Sequence, residues 1–247
     1  MSLVAKLALS PRLVAQALRT RAKLPRLPEA AGPRQGVVGE GEPLSLLITG
    51  DSSAAGVGVV HQRDALAPRL AQELATRGGR RVQWRLLAQS GLTTAQTLAL
   101  LQREHPAAGP RDGAWHFDIA VVVTGVNDVV DQVPSHHAVS VREALANRLR
   151  NGLGAQHVVF APLPPVHLFP GLPQPLRWVA GSDARRHDRA LRDWAASRDD
   201  VSRAEVELPL NPALMADDGF HPGPKVYRLT AHALALHIAG QGLLAAG

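Results

Sequence analysis

Asp118-Ile119-Ala120-Val121-Val122-Val123-Thr124-Gly125 is a run of small and β-branched apolar residues that stops on a glycine. No position in its centre is polar enough to face water, so the run reads as a strand buried on both faces, expected over Phe117–Thr124. Comparable runs lie to either side: Ser45–Thr49 ending in Gly50, Val82–Ala88 ending near Gly91, and His157–Ala161 ahead of Pro162. Val201–Leu208 is a weaker fifth. Stretches of helical periodicity near 64–77, 94–103, 136–150, 184–197 and 224–239 fill the intervals. Strands alternating with helices give a mostly parallel sheet covered on both faces, which is an α/β domain over residues 45–247.

The 247 residues, 45% apolar and 19% charged, suit a globular chain with a core of its own. There is no cysteine, which excludes disulfides, thiolate metal sites and cysteine nucleophiles. Net charge is +6, yet residues 1–35 hold seven basic residues against the single acid Glu29, and the remainder is neutral. A basic segment attached to a neutral body does not fit a nucleic-acid-binding surface.

Ser10-Pro11 starts a helix that can run to about Leu24, with Leu13, Val14, Ala17 and Leu18 on one face and Arg12, Arg19 and Lys23 opposite. That face can pack on the chain's own domain. It can also lie on an anionic membrane through residues 10–24. Residues 25–44, rich in Pro, Gly and Glu, read as a linker, so the chain divides into 1–44 and 45–247. Charged residues interrupt the first apolar stretch and no cleavage pattern follows, so a cytoplasmic or peripheral-membrane location is expected.

In an open parallel sheet, ligands bind beyond the carboxyl ends of the strands. Four clusters fall there: Gly50-Asp51-Ser52-Ser53, Ser90-Gly91-Leu92-Thr93-Thr94, Gly125-Val126-Asn127-Asp128, and Asp218-Gly219-Phe220-His221-Pro222 before the last helix. Serine needs a base to act as a nucleophile, and an imidazole supplies one near neutral pH. Asp218, three residues before His221, can hold its tautomer, and the spacing favours it over Asp217. The Ser52 and Gly91 amides and the Asn127 carboxamide can receive the charge that develops on oxygen in acyl transfer. Asp51 and Asp128 read as supports of their own loops.

The four clusters resemble the four blocks of the SGNH hydrolases, also known as GDSL esterases/lipases, over about residues 45–240. The resemblance implies a flavodoxin-like three-layer α/β/α sandwich with a five-stranded parallel sheet ordered 2-1-3-4-5, and ester hydrolysis without a metal or cofactor. It puts the nucleophile at Ser52, the acid/base pair at His221 and Asp218, and the oxyanion donors at Ser52, Gly91 and Asn127. Ser53-Ala54-Ala55 departs from the family, where a bulkier residue often follows the nucleophile.

A small-molecule or lipid acyl ester is the expected partner, with the apolar Leu163–Pro173 loop as one wall of its pocket. The alternatives are a carbohydrate O-deacetylase, an acyltransferase, and a membrane-surface binding protein. The sequence lacks both a phosphate-binding glycine loop and a His-Glu-x-x-His metal motif.

Overall fold

A computed structural model describes residues 3–105, 116–206 and 211–244. In chain order its elements are α1 (Leu3–Lys23), β1 (Gln35–Val38), β2 (Pro43–Gly50), the single turn α2 (Ser52–Ala55), α3 (Leu66–Gly78), β3 (Arg81–Ala88) and α4 (Thr94–Glu104). There follow β4 (Ile119–Val123), the short α5 (Val126–Val130), α6 (Ser135–Asn147), β5 (His157–Phe160), α7 (Leu176–Ala195), β6 (Val201–Arg203) and α8 (Pro224–Gly240).

The apolar runs become strands because each can bury both faces at once. Leu46, Ile48, Val121 and Val159 join Leu70 and Leu74 of α3 and Leu234 and Ile238 of α8 in one cluster. The alternate residues Leu47, Val122, Val158 and Phe160 join Leu101 of α4, Leu145 of α6 and Leu191 of α7 in the other. The period-2 alternation of a strand thus divides one apolar run between two cores. Helices cover both faces of the sheet. The helix starts follow local chemistry: Thr93 and Gln96 form a capping box on α4, and Pro224 occupies the first turn of α8.

The sheet corrects the expected count and order. It has six strands in the order β1-β3-β2-β4-β5-β6, and it is mixed, because β1 pairs antiparallel with β3 while every other pairing is parallel. The added strand comes from the stretch read as a linker. Ala30 of that stretch is buried in the core. Arg34 donates to Ala88 O and to Glu29, whose other oxygen accepts from Ser90 N. Residues 25–44 are therefore built onto the sheet edge. The weak fifth run forms only Val201–Arg203, and positions 207 and 208 lie outside the described residues.

The first helix also differs from expectation. It begins at Leu3, so Pro11 lies inside it. Gln16 clamps the start of α7, its Nε2 donating to Gln174 O at 2.7 Å and its Oε1 accepting from Leu176 N at 3.2 Å. Leu13, Gln16 and Thr20 are half-buried, whereas Val14, Ala17 and Leu18 are exposed. The single apolar face read from the sequence is thus split, with Leu13 turned away from Val14 and Leu18.

Candidate active site

Three strand ends meet where the sheet turns toward solvent. Gly50 closes β2 at φ 150°, and a Cβ there would lie 2.0 Å from Val123 O, so only glycine allows the ends of β2 and β4 this close. The next amide, Asp51 N, donates to Val123 O at 3.0 Å, and Gln89 N donates to Gly50 O at 3.2 Å. This fixes the start of α2. Asp51 caps it, its carboxylate accepting from Ser53 N at 3.0 Å, and Ser52 is the first residue of the turn. The first amides of such a turn have no partner within the helix.

His221 joins Ser52 to Asp218. Its Nε2 lies 3.0 Å from Ser52 Oγ and its Nδ1 lies 2.5 Å from Asp218 Oδ2. Asp218 Oδ1 accepts from the Phe220 and His221 amides, each at 2.9 Å. Burial pushes the Asp218 carboxyl up, but the His221 side chain and the two amides outweigh it, and its pKa falls below the usual value. A lasting carboxylate keeps an imidazole's proton on the nitrogen that faces it, leaving Nε2 free to accept from a hydroxyl. Among the described residues it is Asp218, and not Asp217, that bonds to the His221 ring. The ring of Phe220 packs edge-on against those of Phe169 and His221.

The other two clusters are tied to each other. Asn127 Nδ2 donates to Leu92 O at 3.0 Å, beside Gly91, which sits at φ 85°. One hydrogen of that carboxamide remains for another acceptor. Asp128 is buried and accepts from Thr94 N at 3.0 Å and Thr94 Oγ1 at 2.5 Å, linking the start of α5 to the start of α4. Asp51 and Asp128 thus support their loops, as the sequence suggests.

Beneath this turn lies a residue that sequence reasoning missed. Arg142 of α6 is 0% exposed, with Nη2 3.8 Å from Asp128 Oδ2. Its guanidinium nitrogens have no hydrogen-bond partner among the described residues. The available signal was its place in the series Ala138, Arg142, Leu145, Ala146, where helical spacing puts an arginine on the buried face.

A cavity of about 500 Å³ opens beside Ser52 and His221. Leu163, Pro164, Pro165, Leu168 and Phe169 form one wall, so the Pro-rich loop does line a pocket. Asp188 braces that loop, accepting from Leu163 N at 3.0 Å and from Arg203 through both carboxylate oxygens. Gly91 and Asn127 are not among the residues that line the cavity. No group of three or more metal-ligating side chains occurs among the described residues.

The chain belongs to the GDSL-like Lipase/Acylhydrolase family, which matches residues 48–229, and it is an ester hydrolase. Curated proteins give no match. Solved structures share the fold, among them the following three. A member of the lipolytic protein G-D-S-L family from Veillonella parvula is 14% identical with a TM-score of 0.57, covering 79% of this chain and 98% of that one. A putative SGNH hydrolase from Slackia heliotrinireducens is 21% identical with a TM-score of 0.57, covering 80% and 100%. A catalytic mutant of Axe2, an acetylxylan esterase from Geobacillus stearothermophilus, is 18% identical with a TM-score of 0.55, covering 81% and 95%.

Proposed function

We propose that the chain hydrolyses carboxylic acyl esters through Ser52, His221 and Asp218, by way of an acyl-enzyme. The hydrogen-bonded chain Ser52 Oγ–His221–Asp218 carries this reading. His221 Nε2 takes the Ser52 proton as Oγ bonds to the ester carbonyl carbon. It returns that proton to the alcohol oxygen as the carbon–oxygen bond breaks. Water then enters by the same route, giving its proton to His221 and its oxygen to the acyl carbon, and Ser52 leaves with the proton restored. The negative oxygen formed in each half is received by the Ser52 amide, the Gly91 amide and Asn127 Nδ2. Asp218 stays ionised and balances the imidazolium.

For the substrate we infer a lipase- or lysophospholipase-like acyl ester, supported by the apolar wall of Leu163, Pro164, Pro165, Leu168 and Phe169. The fold shared with an acetylxylan esterase supports a second reading, a carbohydrate O-deacetylase. p-Nitrophenyl esters of graded chain length, run beside acetylated xylan, separate the two. The expected result is a kcat/KM that climbs beyond the acetyl ester, with little release from xylan and no effect of a chelator. A preference for acetyl groups on sugar overturns the lipid reading. Loss of activity in EDTA, restored by a divalent ion, overturns the metal-free mechanism.

A further inference from the structure

Helix α1 is joined to its domain by one side and presents the other to solvent. Leu13, Gln16 and Thr20 form the attached side, and Gln16 holds it to Gln174 and Leu176 at the start of α7. On the far side stand Val14 and Leu18, four residues apart and therefore in one row, exposed by 59% and 65%. An apolar pair this open is not there to stabilise the domain.

Charge accompanies it. Arg12, Arg19 and Lys23 are exposed on the same helix and form no ion pair among the described residues. The one acid of residues 1–35, Glu29, is occupied by Arg34 and Ser90 N. Arg12, Arg19 and Lys23 are thus left without a local counter-charge among the described residues.

The segment is also placed next to the cavity's loop. The contacts of Gln16 are made at the end of the Pro-rich loop whose earlier residues wall the cavity. Trp178, two residues beyond Leu176, is 47% exposed. Leu168, a cavity-lining residue, is 44% exposed. Arg177 Nη1 of α7 reaches back to Phe169 O at 3.4 Å and ties the start of the helix to the cavity wall. An exposed indole two residues beyond the Gln16 contact at Leu176 is the kind of amphipathic side chain that sits at a lipid headgroup boundary.

We propose that α1, through Val14 and Leu18 with Arg12, Arg19 and Lys23, docks the protein on an anionic lipid surface, with the loop that walls the cavity beside it. No described helix is long and apolar enough to cross a membrane, and the contact proposed is one with the surface. The occupant is an anionic lipid surface because the helix carries exposed apolar side chains on one side and unpaired cations on the other, the composition of a helix lying in a headgroup interface.

Co-sedimentation of the full chain with phosphatidylglycerol/phosphatidylcholine vesicles tests this, beside a Val14→Asp/Leu18→Asp variant and with both proteins' mass, melting temperature and activity on a soluble ester recorded. The expected result is binding near ~50 mM salt that weakens at least about tenfold near ~500 mM salt and on pure phosphatidylcholine. The variant should lose binding by about tenfold or more while its melting temperature and soluble-ester activity stay at the parent's level. Full-length protein left in the supernatant at low salt overturns the proposal, as does a variant that binds equally well. A variant that melts several degrees lower shows a packed face, and one that turns a dimer into a monomer shows a second copy as the occupant. Activity on the soluble ester reads the serine mechanism separately, so either idea can fail alone.

Discussion

Asp51 and Asp218 stand on either side of the same serine and both are buried, at 3% and 4% exposure, yet their carboxyl groups are driven in opposite directions. Burial pushes Asp51 up to about 7, with the Ser53 amide and the charge of His221 opposing and Asp128 adding to the rise. Burial pushes Asp218 up as well, but three donors converge on it and its pKa ends below the usual value. Depth alone does not decide the charge of a carboxyl group. The number of hydrogen-bond donors aimed at it does. One aspartate is arranged to stay an anion beside the imidazole, and the other to cap a helix turn.

The largest effects should come from breaking the chain that Asp218 belongs to. Ser52→Ala should lower kcat by about 10³–10⁶ with the fold retained, while Ser53→Ala keeps most activity. Exchange of those two results would move the nucleophile. Asp218→Asn should cost about 10⁴ in kcat, because the amide no longer holds the required tautomer. Asp51→Asn keeps an oxygen for the Ser53 amide and should stay within about tenfold of the parent. Equal losses at the two aspartates would erase the distinction drawn between them.

Next in size is the receiving side of the reaction. Asn127→Ala should lower kcat by roughly 10²–10³ with a smaller change in KM, since its bond strengthens as charge develops on oxygen. Steady-state kinetics on a soluble ester decides this, and a selective rise in KM would make Asn127 a ground-state binder. Arg142→Met removes the only ion-pair partner given to Asp128 among the described residues. It should destabilise the fold by about 3 kcal/mol, read as a lower urea midpoint. An unchanged midpoint would mean that the two Thr94 bonds suffice to hold Asp128.

The sequence carried most of this arrangement because the informative residues announce themselves. Ile119–Val123 is apolar without a break, the serine and asparagine clusters sit where such runs stop on glycine, and the histidine cluster stands directly before the last helix. What escaped has a physical cause in each case. Strand β1 is four residues of alternating exposure with a single neighbour, too short for periodicity to separate it from its Pro- and Gly-rich surroundings. Helix α7 begins at Leu176, eight residues before expected, and runs through Gly181-Ser182, a pair of weak helix formers. Yet a Cβ at Gly181 would lie 2.5 Å from His167 Cβ, so the glycine serves the close approach of the Pro-rich loop. The facing of α1 was set by Gln16, a polar residue at the docked position, which an apolar pattern cannot locate. Arg142 was missed because a buried arginine is visible only against the burial of its neighbours in the helix.

The smallest effect is also the one that separates the two aspartates without any assay of catalysis. Asp51 ionises near 3.8 in the unfolded chain and near 7 in the fold, so between those values the native state holds a proton that the unfolded state has released. Stability then falls as pH rises through this window, by about 1.4 kcal/mol per pH unit, and levels off above it. Asp218 has the opposite sign. Its lowered pKa gives stability that is present above the usual carboxylate value and lost only as pH falls below it, so it adds no slope between pH 5 and 8. Urea midpoints at a series of pH values should therefore show Asp51→Asn gaining on the parent from pH 5 to 7 and then holding a constant difference. A parent and an Asp51→Asn variant that run parallel would mean that Asp51 ionises in the fold as readily as in the unfolded chain, and the contrast between the two carboxyl groups would then rest on Asp218 alone.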